Sequence, residues 1–227
     1  MALIKGKGRQ TSAVEIVSEG ADAFLRMLRD GTISAANWLT LNALEGRMFV
    51  ANGGVGTTPI TFAGAYDADA PDLYIYVPSG TTIIPVYIGV KYEAVGTETE
   101  LEAIALASRT GDSTATGTAL TIKALRTDAP LASKCTATAA VGAAGIDDPN
   151  AAGANFYEFW RRGHPLKDTS ASGENDRHEQ VYEWKLAETL VPPGIVGPGA
   201  LAIYAASQAG TGFIEAIWLE LASGNIT

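Results

Sequence analysis

The sequence predicts an all-β chain, an antiparallel jelly-roll-like β-sandwich with a short N-terminal helix/hairpin extension. Three observations carry this expectation. From residue 46 onward, short runs of β-branched and aromatic residues recur between clusters rich in Gly, Pro, Asp, Ser and Thr. The clearest runs alternate apolar and polar side chains with a period of two, as a strand with one buried face does. No long amphipathic helical pattern stands between them, which disfavours a parallel sheet joined by crossover helices. Eight such strands in two Greek keys make a jelly roll, and the remaining ones supply edges.

Residues 1–45 read as an N-terminal arm and helix/hairpin extension, and 46–227 as the sandwich domain. Lys5, Lys7 and Arg9 make the start a small cationic arm, suited to docking on an acidic partner or to solvation alone. Ser12 and Glu15 fit a capping box, and Val14, Val17, Ala21, Phe24 and Leu28 follow at helical spacings. Asp30-Gly31 then either caps that helix or turns a hairpin between 24–29 and 32–41. Strands are expected over 47–51, 60–63 and 73–77. Over 81–95, Ile84, Val86, Ile88, Val90 and Tyr92 share one face, opposite Tyr87, Lys91 and Glu93. Pro85 removes a ladder donor within that run, which calls for a sheet edge or a bulge there. Residues 101–108 have good helix propensity but span only two turns among strands, so they read as a strand. Further strands are expected over 118–126, 133–139 and 155–161. Over 180–191, Tyr182, Trp184, Leu186 and Leu190 face inward while Glu183 and Lys185 face solvent. Strands over 200–205 and 213–221 follow, the latter apolar on both faces and so central in its sheet. Residues 142–154 and 164–177 read as loops.

The chain has 227 residues and a net charge of −9, with Lys+Arg 16 against Asp+Glu 25. That balance excludes a whole-surface grip on nucleic acid or anionic lipid. Hydrophobic residues make up 47%, but 38 of them are alanines. No run approaches the roughly 18 apolar residues that span a bilayer. Cys135 is the single cysteine, so no internal disulfide or multi-thiolate zinc site is expected. MALIKGKGRQ lacks the apolar stretch of a secretion signal.

Linear motifs for catalysis are missing. There is no G-x-S-x-G, no Walker-type phosphate loop, and no G-x-G-x-x-G between a strand and a helix. Gly53-Gly54-Val55-Gly56 runs into Thr57-Thr58-Pro59 and a strand, so it reads as a turn. His164 and His178 are the only histidines and lack metal-ligand spacing. Asp67, Asp69 and Asp72 lie close enough in YDADAPD to gather oxygens around Ca²⁺, although the loop lacks the other features of an EF-hand and Asp-Pro turns arise for local reasons. Phe156, Tyr157 and Trp160, with Phe159 between them, run directly into Arg161 and Arg162. Such a cluster suits a protein interface, a glycan platform or a core-facing strand with a charged rim. A pair of glycosidase carboxylates would leave no linear trace. The expectation is a protein without catalytic residues or cofactor, hence not an enzyme.

Two stretches resemble known proteins. DAPDLYIYVPSGTTIIPVYIGV, in which Pro78-Ser79-Gly80-Thr81-Thr82 turns directly into a strand, resembles strand openings of viral jelly-roll and tumour-necrosis-factor-like, trimer-forming sandwiches. LVPPGIVGPGALAIYAASQAGTGFIEAIWLEL resembles the C-terminal strand pairs of tailed-bacteriophage structural proteins that decorate or stabilise the head. The resemblance spans residues 70–95 and 180–221 and lies in turns and strands. It implies a virion structural protein of the capsid decoration, cement or minor capsid type, a homotrimer with the major capsid or other virion proteins as partners. Assembly would take place in the bacterial host cytoplasm, without membrane or nucleic-acid contacts. The alternative is a carbohydrate- or receptor-binding virion module that uses the aromatic/Arg cluster.

Overall fold

The computed structural model of the chain describes residues 37–64, 66–95, 100–129, 131–143, 156–165, 181–189, 191–206 and 209–225. Among these residues one short helix, α1 (Trp38–Leu44), leads into thirteen strands: β1 (Met48–Gly53), β2 (Ile60–Phe62), β3 (Leu73–Val77), β4 (Thr81–Val95), β5 (Glu100–Ser108), β6 (Thr116–Leu120), β7 (Lys123–Ala124), β8 (Thr136–Ala143), β9 (Phe156–Pro165), β10 (Val181–Lys185), β11 (Ile195–Val196), β12 (Gly199–Ala206) and β13 (Gly210–Ala222). All strand pairs within the two sheets are antiparallel. One sheet runs β10-β4-β13-β1-β7, with β11 against β4 and β2 against β13, and the other runs β6-β8-β3-β12-β5-β9.

Four of these pairings define the connectivity. β1 pairs with β13, β3 with β12, β4 with β10, and β5 with β9. Taken in chain order, the first principal strand therefore meets the last, the second meets the seventh, the third meets the sixth and the fourth meets the fifth. This is a long hairpin rolled over itself, the jelly-roll connectivity. β6, β7 and β8 are inserted between the fourth and fifth principal strands and widen both sheets on one side.

β13 is central, as its apolar pattern predicts. It is paired with β4 over its length and with β1 or β2 on its other edge. Ile214, Ala216 and Trp218 point into the core against Phe49, Ile88, Val90 and Tyr92. Pro85 resolves as a bulge: Ile217 opposes Tyr87 and Trp218 opposes Pro85, which leaves Val86 without a partner. On the other edge of β4, β10 covers 87–91 and β11 covers 82–83, so Pro85 falls in the gap where no donor is required. The bulge switches the facing of the strand. Ile83 enters the core in place of Ile84, while Ile84 and Val86 are only half buried, contrary to the single uninterrupted face read from the sequence.

Other expectations need correction. The hairpin arm over 32–41 gives way to α1 from Trp38. Asn37 caps it by accepting from Leu39 N–H at 2.9 Å, and Gly46, at φ 74°, ends it in the left-handed conformation glycine permits. Residues 1–36 lie outside the described residues, and with them the helix expected after Ser12. The expected strand over 118–126 is two, β6 and β7. The run over 180–191 leaves the sheet at Lys185 for a 3₁₀ turn, Leu186–Glu188. The expected loops start late, because β8 continues to Ala143 and β9 to Pro165, which places His164 in a strand. The rest of both segments, 144–154 and 166–177, lies outside the described residues.

A second apolar layer covers the outer face of the β3-β12-β5 sheet. Tyr74, Ile104, Leu106, Ala200, Ala202 and Tyr204 are buried there, so β12 is buried on both faces. Two crossovers form its roof. Tyr204 Oη donates to the Ala68 carbonyl at 2.8 Å, and Tyr74 Oη accepts from Asp112 N–H at 2.8 Å. Small alanines between the tyrosines let these segments approach closely.

Backbone approaches closely at Gly212, where β13 meets β2 and β4 at a register shift. A side chain there would collide with the Lys91 carbonyl oxygen and come within 2.6 Å of the Phe62 ring. Gly212→Ala should lower unfolding stability by about 2 kcal/mol or more. Gly224→Ala, at a position open to solvent, should stay within about 0.5 kcal/mol of the native chain. Urea midpoints of the two variants test this.

Candidate functional site

The three aspartates of the β2–β3 crossover do not converge. Asp67 and Asp69 are solvent-facing, and Asp67 closes a local turn by accepting from Asp69 N–H at 3.1 Å. Asp72 turns inward. Its Oδ1 accepts from Ala63 N–H at 2.9 Å and its Oδ2 from Ala205 N–H at 2.7 Å, while its backbone carbonyl accepts from Ala140 N–H at 3.0 Å. One buried residue thus ties the crossover to β12 and β8. Burial outweighs those two hydrogen bonds and raises its carboxyl to about 6. Tyr92 stands beside it, its hydroxyl donating to the carbonyls of Glu102 and Ala206, and burial pushes that phenol up. Among the described residues no three His, Cys, Asp or Glu side chains are grouped to hold a metal ion.

The aromatic and arginine residues lie on β9, the edge of the second sheet. Trp160 opposes Ala105 and Glu158 opposes Leu106, so Phe159 is the extra residue of a bulge. As a result both Phe159 and Trp160 lean on the core. The Phe159 ring meets Trp184 of β10 edge-on at 5.3 Å and joins the rims of the two sheets. Tyr157 stays half exposed. The Arg161 guanidinium is held by two carboxylates, with Nε and Nη2 on Glu158 at 2.9 and 2.7 Å and Nη1 on Glu102 at 2.7 Å. Arg162 is exposed. Phe156 contributes backbone opposite Ser108. Lys5, Lys7, Arg9 and His178 lie outside the described residues.

A groove that no motif announced lies at the opposite end of the sandwich from Asp72, where β1 enters the sheet beside β7. It has a volume of about 490 Å³, with Phe49, Ile122, Ala124 and Leu131 among its lining. It adjoins a pocket of about 200 Å³ that shares Phe49, Leu131 and Ala132. Two fasteners hold its walls. Arg126 grips Asp128 with Nε at 2.6 Å and Nη2 at 3.0 Å, and its Nη1 donates to the Leu44 carbonyl at the end of α1 at 2.8 Å. Glu220, 8% exposed, accepts from Ser133 Oγ at 2.8 Å and from Lys134 N–H at 2.9 Å. Burial and the nearby Glu220 push the Cys135 thiol up, which leaves it an inert apolar filler. Leu44, Leu125 and Leu131 are exposed around this corner, and Trp38 is exposed on the helix that leads to it. The sequence signal for this site is faint: two leucines, Leu125 and Leu131, in an otherwise polar turn.

Asp72 makes the fold sensitive to pH. Its folded value of about 6 lies above the 3.8 of a free aspartate, so the folded chain holds the proton more tightly than the unfolded one. This contribution is full below pH 3.8 and is lost as pH rises through 6, a change of about 3 kcal/mol. Asp72→Asn should remove that slope from urea stability measured across the acid range. It should also lower stability at acid pH by about 1–3 kcal/mol, because an amide accepts only one of the two N–H groups and points its own donors at the other.

No family model, curated protein or solved structure matches the chain.

Proposed function

We propose that the chain is a virion structural protein of a tailed bacteriophage, a capsid decoration or minor capsid component that acts by self-association and by contact with the shell. The single observation that supports this reading is the rolled-hairpin strand order β10-β4-β13-β1 and β3-β12-β5-β9, the architecture in which the resembling viral proteins are built. The use of the polar residues agrees with it. Asp72, Glu220, Arg126 and Arg161 fasten one stretch of the chain to another, which suits a protein that works by contact rather than turnover. The protein would assemble as a homotrimer in the host cytoplasm and remain in the virion. A cyclic trimer needs two different complementary patches on each subunit.

Two measurements test the reading. Light scattering on the purified chain should give about three times the 23.6 kDa chain mass, and peptide mass spectrometry of particles purified from the producing host should find the chain at stoichiometric level. A monomer absent from those particles overturns the reading.

A further inference from the structure

The corner groove has the features of a prepared docking site. Its walls are pinned by the Arg126 fork and by Glu220, so little ordering is left for a ligand to impose. Its lining is mixed, with Phe49, Ile122 and Leu131 beside Lys123, Arg126 and Ser133, and Leu131 is 47% exposed. One exposed leucine is ordinary on a surface, so the choice of ligand falls to the charges beside it. Thr81, 1% exposed on the wall of the adjoining pocket, has a buried hydroxyl without a hydrogen-bond partner among the described residues.

Charge decides what fits. Lys123 lines the larger groove and Lys134 the adjoining pocket. Neither side chain makes an ion pair among the described residues, whereas Arg126 is held by Asp128 and Arg47 by Glu45. Two uncommitted ammonium groups thus flank the apolar strip of Phe49, Ile122 and Leu131 on a chain whose net charge is −9. They attract carboxylates and orient the incoming segment, while the trough supplies the apolar contact.

We infer that the groove beside β7 takes an acidic segment of a neighbouring shell protein that carries leucine or phenylalanine, with its apolar side chains in the Phe49–Leu131 trough and its carboxylates on Lys123 and Lys134. The identity of that partner as a shell protein rests on the function proposed above. The groove chemistry does not.

The test uses the full ¹⁵N-labelled chain and two synthetic peptides, Ac-EDLFEDL-amide and Ac-KKLFKKL-amide. The acidic peptide should shift backbone amides within 44–49 and 122–134, weakly in high salt, and the basic peptide should not. The exposed substitutions Lys123→Glu with Lys134→Glu should weaken that binding at least about tenfold. Leu131→Asp should abolish it while leaving the spectrum of the free chain folded. Equal shifts from both peptides, or none from the acidic one, overturn the inference. So do shifts of the same amides on raising protein concentration alone, since a second copy would then occupy the groove. Co-sedimentation with purified shells separates the two readings. If the Lys123→Glu/Lys134→Glu variant sediments as the native chain does, the groove is not the contact and the virion reading stands. If neither sediments, the virion reading fails, and the peptide titration still decides the groove.

Discussion

The backbone ladder of β13 is the constraint from which the rest of the structure hangs. Its thirteen residues are bonded to β4 on one edge and to β1 and β2 on the other, so the facing of three strands is set by one. A shift of a single residue would send Ile214, Ala216 and Trp218 out of the core and Glu215 into it. The bulge at Val86 is accordingly a fixed feature. It lets β4 follow β13 past a proline and still deliver both Ile83 and Ile88 to the same interior.

Where the ladders end, side chains take over the fastening. Asp72 closes the end near Tyr92, Glu220 and Arg126 hold the end near Phe49, and Arg161 binds the β9 edge to β5. The chain is therefore stitched at its crossovers by ionic groups, while the interior between the sheets is left to aliphatic and aromatic contacts such as Phe62–Tyr92 and Tyr92–Tyr182. An acid that accepts two backbone N–H groups fixes direction as well as distance, which hydrophobic contact alone does not.

Much of the architecture was legible in the residues, because alternation reports local facing. Tyr182 and Trp184 against Glu183 and Lys185 mark an inward and an outward side without reference to any other segment. The failures occur where facing depends on something distant. The change of face in β4 arises from its register with β13. The helix at Trp38–Leu44 rests on local caps, Asn37 and Gly46, within a stretch that reads as the second arm of a hairpin turned at Asp30-Gly31. At the site level the limits are sharper. Asp72 reads as part of an open acidic turn, yet its partner Ala205 is 133 residues away. The Phe156–Arg162 cluster reads equally as an interface, a glycan platform or a core-facing strand with a charged rim, and only the one-residue bulge and the two carboxylates show that Trp160 leans on the core and Arg161 is held at its rim. The groove is assembled from β1, β7 and the segment before β8, and no single stretch of chain displays it.

The rolled connectivity carries a consequence for biosynthesis. Because β1 is paired along its whole length by β13 and meets β7 only at Phe49 and Val50, the earliest principal strand must wait on the ribosome for its main partner until nearly the whole domain has emerged. Throughout translation its apolar face, Phe49 and Ala51, has no native cover from that strand. The interval between exit of β1 and arrival of β13 is when a nascent copy is most open to pairing with another growing beside it, so the rate of elongation, as much as the finished fold, governs how cleanly the domain forms.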